Sequence, residues 1–130
     1  MLPNDGHISV DSKKDCSELY SNLITDHDRF HRECVLAREC GIQLIILVEN
    51  KDGIKQPEDI IRWHNPQYFR YWIAKKKAER LGIKSPKPPA SNVQLLKVMK
   101  SMTRDYGVRF EFVRPEDSAP RIIELLGGSK

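Results

Sequence analysis

Asp11-Ser12-Lys13 sets a carboxylate and an ammonium two residues apart. In an extended strand alternate side chains share a face, so Asp11 and Lys13 project side by side. Such a pair is the minimum for phosphodiester hydrolysis, in which a carboxylate holds Mg2+ (or Mn2+) and a cation orients the attacking water and offsets developing charge. The same spacing also describes an ordinary exposed surface pair. A second grouping is His27, His31 and Cys34, one helical turn apart in sequence, which would suit a zinc ion. A closed zinc site needs a fourth ligand, and these positions equally fit an apolar helix stripe. A third is the run Tyr68, Phe69, Tyr71 and Trp72, interleaved with Arg70, Lys75, Lys76 and Lys77. It could form a stacking and phosphate platform, although aromatics at helical spacing more commonly belong to a core. Arg29 and Arg32 add two phosphate contacts beside Lys14, solvated arginines being the alternative. A Gly-x-Ser-x-Gly elbow, a Walker loop and a GxGxxG turn are all missing from the sequence, so serine hydrolase, P-loop and Rossmann chemistries lack their hardware.

Charge is segregated along the chain. From Arg70 to Arg104 ten basic residues meet the single acid Glu79, a net +9 within a total of +4, so the remainder carries −5. That segregation suits a polyanionic partner; a solvated lysine-rich helix is the simpler alternative. With 130 residues and 15.1 kDa the chain suffices for one domain with one core. Its longest apolar run, Leu44 to Val48, is far too short to cross a bilayer, and its start lacks a signal peptide's basic and apolar regions. Cys16, Cys34 and Cys40, odd in number and within apolar periodic sequence, read as reduced core thiols of a cytosolic protein.

The elements that must position these residues are legible as patterns. Asn4-Asp5-Gly6 is a tight turn leading into an alternating strand from His7 to Lys13. Asp15 or Ser17 starts a helix with apolar positions at Cys16, Leu19, Tyr20, Leu23, His27, Phe30 and Cys34, interrupted near Thr25-Asp26 and ended by Gly41. Ile42 to Val48 is a strand buried on both faces. A short helix over Pro57 to Trp63, a basic helix over Tyr68 to Leu81, a stiff Ser85 to Pro89 linker and a helix capped by Ser91 follow. A strand over Val108 to Val113 and a last helix opened by Pro115 complete an α/β sheet flanked by helices.

The ordered set Ser9-Val10-Asp11-Ser12-Lys13-Lys14, Leu19-Tyr20-Ser21-Asn22-Leu23, Asp28-Arg29-Phe30, Leu44-Ile45-Ile46-Leu47-Val48-Glu49, Tyr106-Gly107-Val108-Arg109-Phe110-Glu111-Phe112 and Arg121-Ile122-Ile123-Glu124-Leu125-Leu126 resembles the nuclease domain of the XPF/Hef type, in its short bacterial and phage form. The likeness runs over nearly the whole chain. It implies a restriction-endonuclease-like fold, a divalent-metal cofactor and cleavage of branched or flapped DNA. It also implies a part in repair or recombination, a place in the cytoplasm of a bacterium or phage-infected host, and the option of a homodimer. The family carries Gly-Asp-Tyr followed by Glu-Arg-Lys-x-x-x-Asp. Asp11 takes the place of the glutamate, Ser12 of the arginine, Lys13 of the lysine and Ser17 of the last aspartate, with Glu18 as the adjacent acid that would compensate. Arg29 matches a helix arginine and Glu49 the glutamate ending the central strand. The resemblance thus implies Asp11, Lys13 and Glu18 as catalytic and Asp11 and Glu49 as metal ligands, while the charge pattern, with Arg29 also matched in the family, makes Lys14, Arg29, Arg32, Arg70, Lys75, Lys76 and Lys77 the expected DNA contacts.

Gly-Asp-Tyr has no counterpart here. Asp5 lies six residues from Asp11, ~20 Å along a strand, and the residue facing Asp11 across a hairpin would precede Met1. The expectation is therefore a domain truncated at its start, lacking its first strand or strands, with an exposed sheet edge, DNA binding and impaired cleavage. Robust cleavage by this chain would instead overturn the truncation and require a second carboxylate among Glu18, Glu33 and Glu49. The alternative expectation is a non-catalytic DNA-binding module that keeps the fold.

Overall fold

The computed structural model describes residues 7–127, so the turn expected at Asn4-Asp5-Gly6 lies outside the described residues. Three strands, β1 (Ile8–Lys13), β2 (Gln43–Glu49) and β3 (Arg109–Val113), form a parallel sheet in the order β1-β2-β3. Parallel neighbours require long crossovers. The first consists of α1 (Cys16–Tyr20), a π-helical turn (Ser21–Thr25) and α2 (His27–Glu39). The second contains a 3-10 turn (Pro57–Arg62), α3 (Pro66–Leu81) and α4 (Asn92–Tyr106). After β3 a short 3-10 turn leads into α5 (Ser118–Leu125). The α/β architecture with flanking helices follows the sequence pattern; Pro57 to Arg62 winds as 3-10 instead of α.

β2 is central, and its Ile45-Ile46-Leu47-Val48 run is buried on both sides. Paired residues of a parallel ladder share a face. Asp11, Ile46 and Phe110 therefore lie on one side together with Lys13, Val48 and Phe112. This side carries the main core, where Leu19, Leu23, Phe30, Trp63, Leu95 and Met99 pack against the sheet. Ile45, Leu47, Glu49 and Glu111 lie on the opposite side. There Arg121 of α5 reaches the sheet, its Nε 2.7 Å and its Nη2 3.0 Å from the Glu111 carboxylate, while Arg109 also pairs with Glu111. The Arg121 fork holds the Glu111 carboxyl below the usual carboxylate range despite its partial burial.

Helix ends are closed by local chemistry. Asp15 accepts the Glu18 backbone N–H at 2.8 Å, and Ser91 with Gln94 forms a capping box. Gly82 ends α3 at φ 69°, a left-handed conformation that glycine adopts without a Cβ penalty. None of the three cysteines is in a disulfide. Cys16 and Cys34 are core residues, with burial pushing their thiols up to about 12 and about 11, so neither is a thiolate near neutral pH. Cys40, expected in the core, is exposed at the end of α2.

Candidate functional site

Lys13 ends β1 with only 8% of its side chain exposed. Lysine is rarely buried unless paired, because the desolvated charge costs several kcal/mol. Two partners hold it: Nζ lies 3.0 Å from Asp11 Oδ2 and donates to Asn22 Oδ1 at 2.8 Å. The side-by-side projection of Asp11 and Lys13 expected from strand alternation is thus the observed geometry. Asp11 itself remains accessible, with 40% of its side chain exposed, because β1 pairs only with β2 among the described residues.

Sequence reasoning gave Asn22 no role. It sits in the π-helical turn, where the Asp26 N–H donates to the Ser21 carbonyl at 2.8 Å, five residues back. Such wide turns are rare and recur at functional sites. Here the turn holds Asn22 between the end of β1 and α1, with Nδ2 donating to the Glu18 carbonyl at 2.9 Å. The interruption expected near Thr25-Asp26 is this turn. It also carries His27 off the apolar stripe and into solvent.

The acids separate on inspection. The Glu18 carboxylate accepts the Lys14 N–H at 2.9 Å, so it clamps the strand-to-helix corner. Glu49 is on the sheet face opposite Asp11, because Val48, its neighbour, pairs with Lys13. The expected metal pair Asp11 and Glu49 is therefore not brought together. Glu33 instead lines the same groove as Asp11, along the outer margin of β1, together with Ser9, Leu36 and Leu44. Arg29 engages Glu33 at 3.6 Å. Among the described residues no three His, Cys, Asp or Glu side chains gather into a metal-binding group. Mg2+ is commonly held by one or two carboxylates with waters and substrate phosphates, a role whose ligand chemistry Asp11 fits with Glu33 across the groove.

The zinc grouping does not assemble. His27 Nδ1 donates to the Leu23 carbonyl at 3.1 Å, His31 Nε2 hydrogen-bonds the Tyr106 hydroxyl at 2.5 Å, and Cys34 is a protonated core thiol.

No family model, curated protein or solved structure matches the chain. Its residues carry the functional argument.

The expected DNA contacts fall in two places. Arg29 and Arg32 line a shallow depression at the start of α2, shared with Asp26, His27 and Asp28, whose acids balance much of the charge. Lys14 is exposed beyond β1. Arg70, Lys76 and Lys77 are exposed on α3, whereas Lys75 is half-buried. At about 100° per residue the three consecutive lysines fan around the helix instead of forming one patch.

Of the two readings of the α3 aromatics, platform or core, exposure favours the first for Tyr68, Phe69 and Trp72, while Tyr71 is half-buried. Phe69 is 65% and Trp72 55% exposed, Tyr68 and Ile73 are also exposed, and Ala78 is the only buried residue of this helix. Apolar residues lie all around α3, so sequence periodicity could not assign it an inner face. No helix of the described residues is long and apolar enough to cross a membrane.

Proposed function

We propose that this chain is a DNA-acting domain of the XPF/Hef nuclease type, with a restriction-endonuclease-like fold, which hydrolyses phosphodiester bonds in branched or flapped DNA with Mg2+ or Mn2+. The observation that carries the reading is the Asp11–Lys13–Asn22 constellation. A buried lysine held by a half-exposed carboxylate and a π-turn asparagine is costly to assemble and holds its ammonium in one place, and phosphoryl chemistry depends on such fixed positioning.

In this reading Asp11 presents an anionic oxygen to the groove. Lys13 spends two of its three N–H donors on Asp11 and Asn22, which leaves the third for a phosphate oxygen or the attacking water. Asn22 acts as a positioning residue that fixes the ammonium, and Glu18 keeps the corner rigid. Magnesium, when bound, would lower the pKa of a water and neutralise phosphate charge. The basic residues of α3, with Lys14, Arg29 and Arg32, hold the DNA backbone.

The second reading, a DNA-binding module without catalysis, is favoured by the placement of Glu49 away from Asp11. One assay separates the two. On a flapped duplex with Mg2+ or Mn2+, the proposal expects slow metal-dependent nicking that Asp11→Asn abolishes while DNA affinity is kept or raised. Tight binding without nicking by the parent chain would leave the second reading standing.

A further inference from the structure

The outward face of α3 combines two features that usually exclude each other on a soluble surface. Phe69, Ile73, Lys76 and Arg80 follow one another at helical spacing on the side away from Ala78, and Trp72 flanks them. All five are exposed. Large exposed aromatics carry a solvation cost and a risk of aggregation, and clustered exposure of this kind marks an interaction surface. The cations identify the partner's charge. The 70–104 segment is +9, and on α3 itself Glu79 is the lone acid, 3.7 Å from Lys76.

A partner must therefore present both negative charge and flat apolar faces. Duplex DNA offers phosphates but hides its bases in the stack. A single strand offers both, since unpaired bases stack on aromatic rings while the backbone tracks the cations. Phe69 and Trp72, three residues apart, lie about one turn from each other on the helix, so one strand running along α3 can meet both rings. Lys76 Nζ lies 5.9 Å from the centre of the Trp72 ring, so a cation accompanies the aromatic surface itself.

We infer that the Phe69–Trp72 face of α3 is a stacking platform for single-stranded nucleic acid, with Lys76 and Arg80 as its phosphate contacts. This deepens the proposed function, on whose DNA-binding part it rests, by assigning the unpaired arm of a branched substrate to this helix. It does not depend on the Asp11–Lys13 chemistry.

The test uses the intact chain and an oligothymidylate of about ten nucleotides. Trp63 is buried and Trp72 exposed, so intrinsic fluorescence separates them by accessibility. The inference expects quenching of the exposed tryptophan by the oligonucleotide, absent in Trp72→Ala. The double variant Phe69→Ala/Trp72→Ala should lose about tenfold or more in affinity, the order expected when base stacking is removed. An abasic strand of the same length should bind the parent about as weakly as oligothymidylate binds the variant. Both positions are exposed, so a folded variant is expected, and a circular dichroism melt checks it. If the double variant keeps parental affinity for oligothymidylate, the platform is overturned, even where Lys76→Ala/Arg80→Ala weakens binding and the electrostatic part survives. Concentration-dependent dimerisation abolished by the aromatic changes, without any effect on strand binding, would overturn it in favour of a second copy as occupant. Failure of the parent to bind either the oligonucleotide or a flapped duplex would remove the proposed function as well, whereas flapped-duplex binding insensitive to the aromatics removes this inference alone.

Discussion

The end of β1 and the outer face of α3 treat charge in opposite ways. At Lys13 a cation is buried, fixed at 3.0 Å and 2.8 Å by two partners, and backed by a helix corner that is itself capped. On α3 the cations are mostly exposed, and the aromatics beside them are exposed too. Buried, partnered charge is expensive to assemble and hard to move, which suits a group that must meet a reacting atom in one geometry. Exposed cations among flat rings adapt to a flexible polyanion and read little of its sequence. The molecule thus separates a place built for positioning from a place built for holding.

That contrast can be broken by substitutions matched across the two regions. The largest expected effect compares the tryptophans. Trp63→Ala removes a ring packed in the core and should cost about 3–5 kcal/mol in a urea melt, whereas Trp72→Ala should stay within about 0.5 kcal/mol. Equal losses would mean that α3 is packed against the body more tightly than described. Next come the lysines. Lys13→Ala deprives Asn22 and Asp11 of a shared donor and should destabilise by about 1–3 kcal/mol, while Lys77→Ala should be near neutral.

The opposite sheet face supplies a control of intermediate size. Glu111 titrates below its ordinary value near 4.5 because Arg121 favours its charged form. A depressed folded-state pKa gives stability that is present above the unfolded value and lost as pH falls through the folded one. Arg121→Met should therefore cost about 1 kcal/mol near pH 7, and the gap from the parent should shrink as pH falls from the ordinary value of 4.5 through the lowered folded-state one. A gap that stays constant to low pH would show that Arg121 contributes by packing alone. The smallest effect concerns salt. Alanine at Lys75, Lys76 and Lys77 together should flatten the dependence of single-strand affinity on ionic strength by about two phosphate contacts, near 0.7 each, because half-buried Lys75 contributes little. An unchanged slope would return these lysines to the role of a solvated surface.

Local pattern carried most of the fold and only part of the site. β2 was legible because four consecutive branched apolar residues suit a strand covered on both sides, and α4 because Ser91 and Gln94 cap an amphipathic run. Asp11 and Lys13 were legible for the same reason, since strand alternation is a local property. Glu49 was not, because its face relative to Asp11 depends on the pairing of Lys13 with Val48, a register set across 35 residues of chain. Asn22 was hidden by the π turn, which breaks the helical spacing that locates neighbours. The exposure of Phe69 and Trp72 was invisible because α3 has apolar residues on every side, so only tertiary packing chooses which of them to bury.

The division of labour is tested most directly by single-turnover cleavage of a flapped duplex at saturating protein with Mg2+ or Mn2+, measured beside the dissociation constant for the same DNA. The account predicts that Asp11→Asn abolishes the rate and leaves the constant unchanged or tighter. Phe69→Ala/Trp72→Ala should do the reverse, weakening binding about tenfold or more while the rate at saturation persists. Parental cleavage by Asp11→Asn, or loss of rate at saturation in the α3 variant, would contradict it.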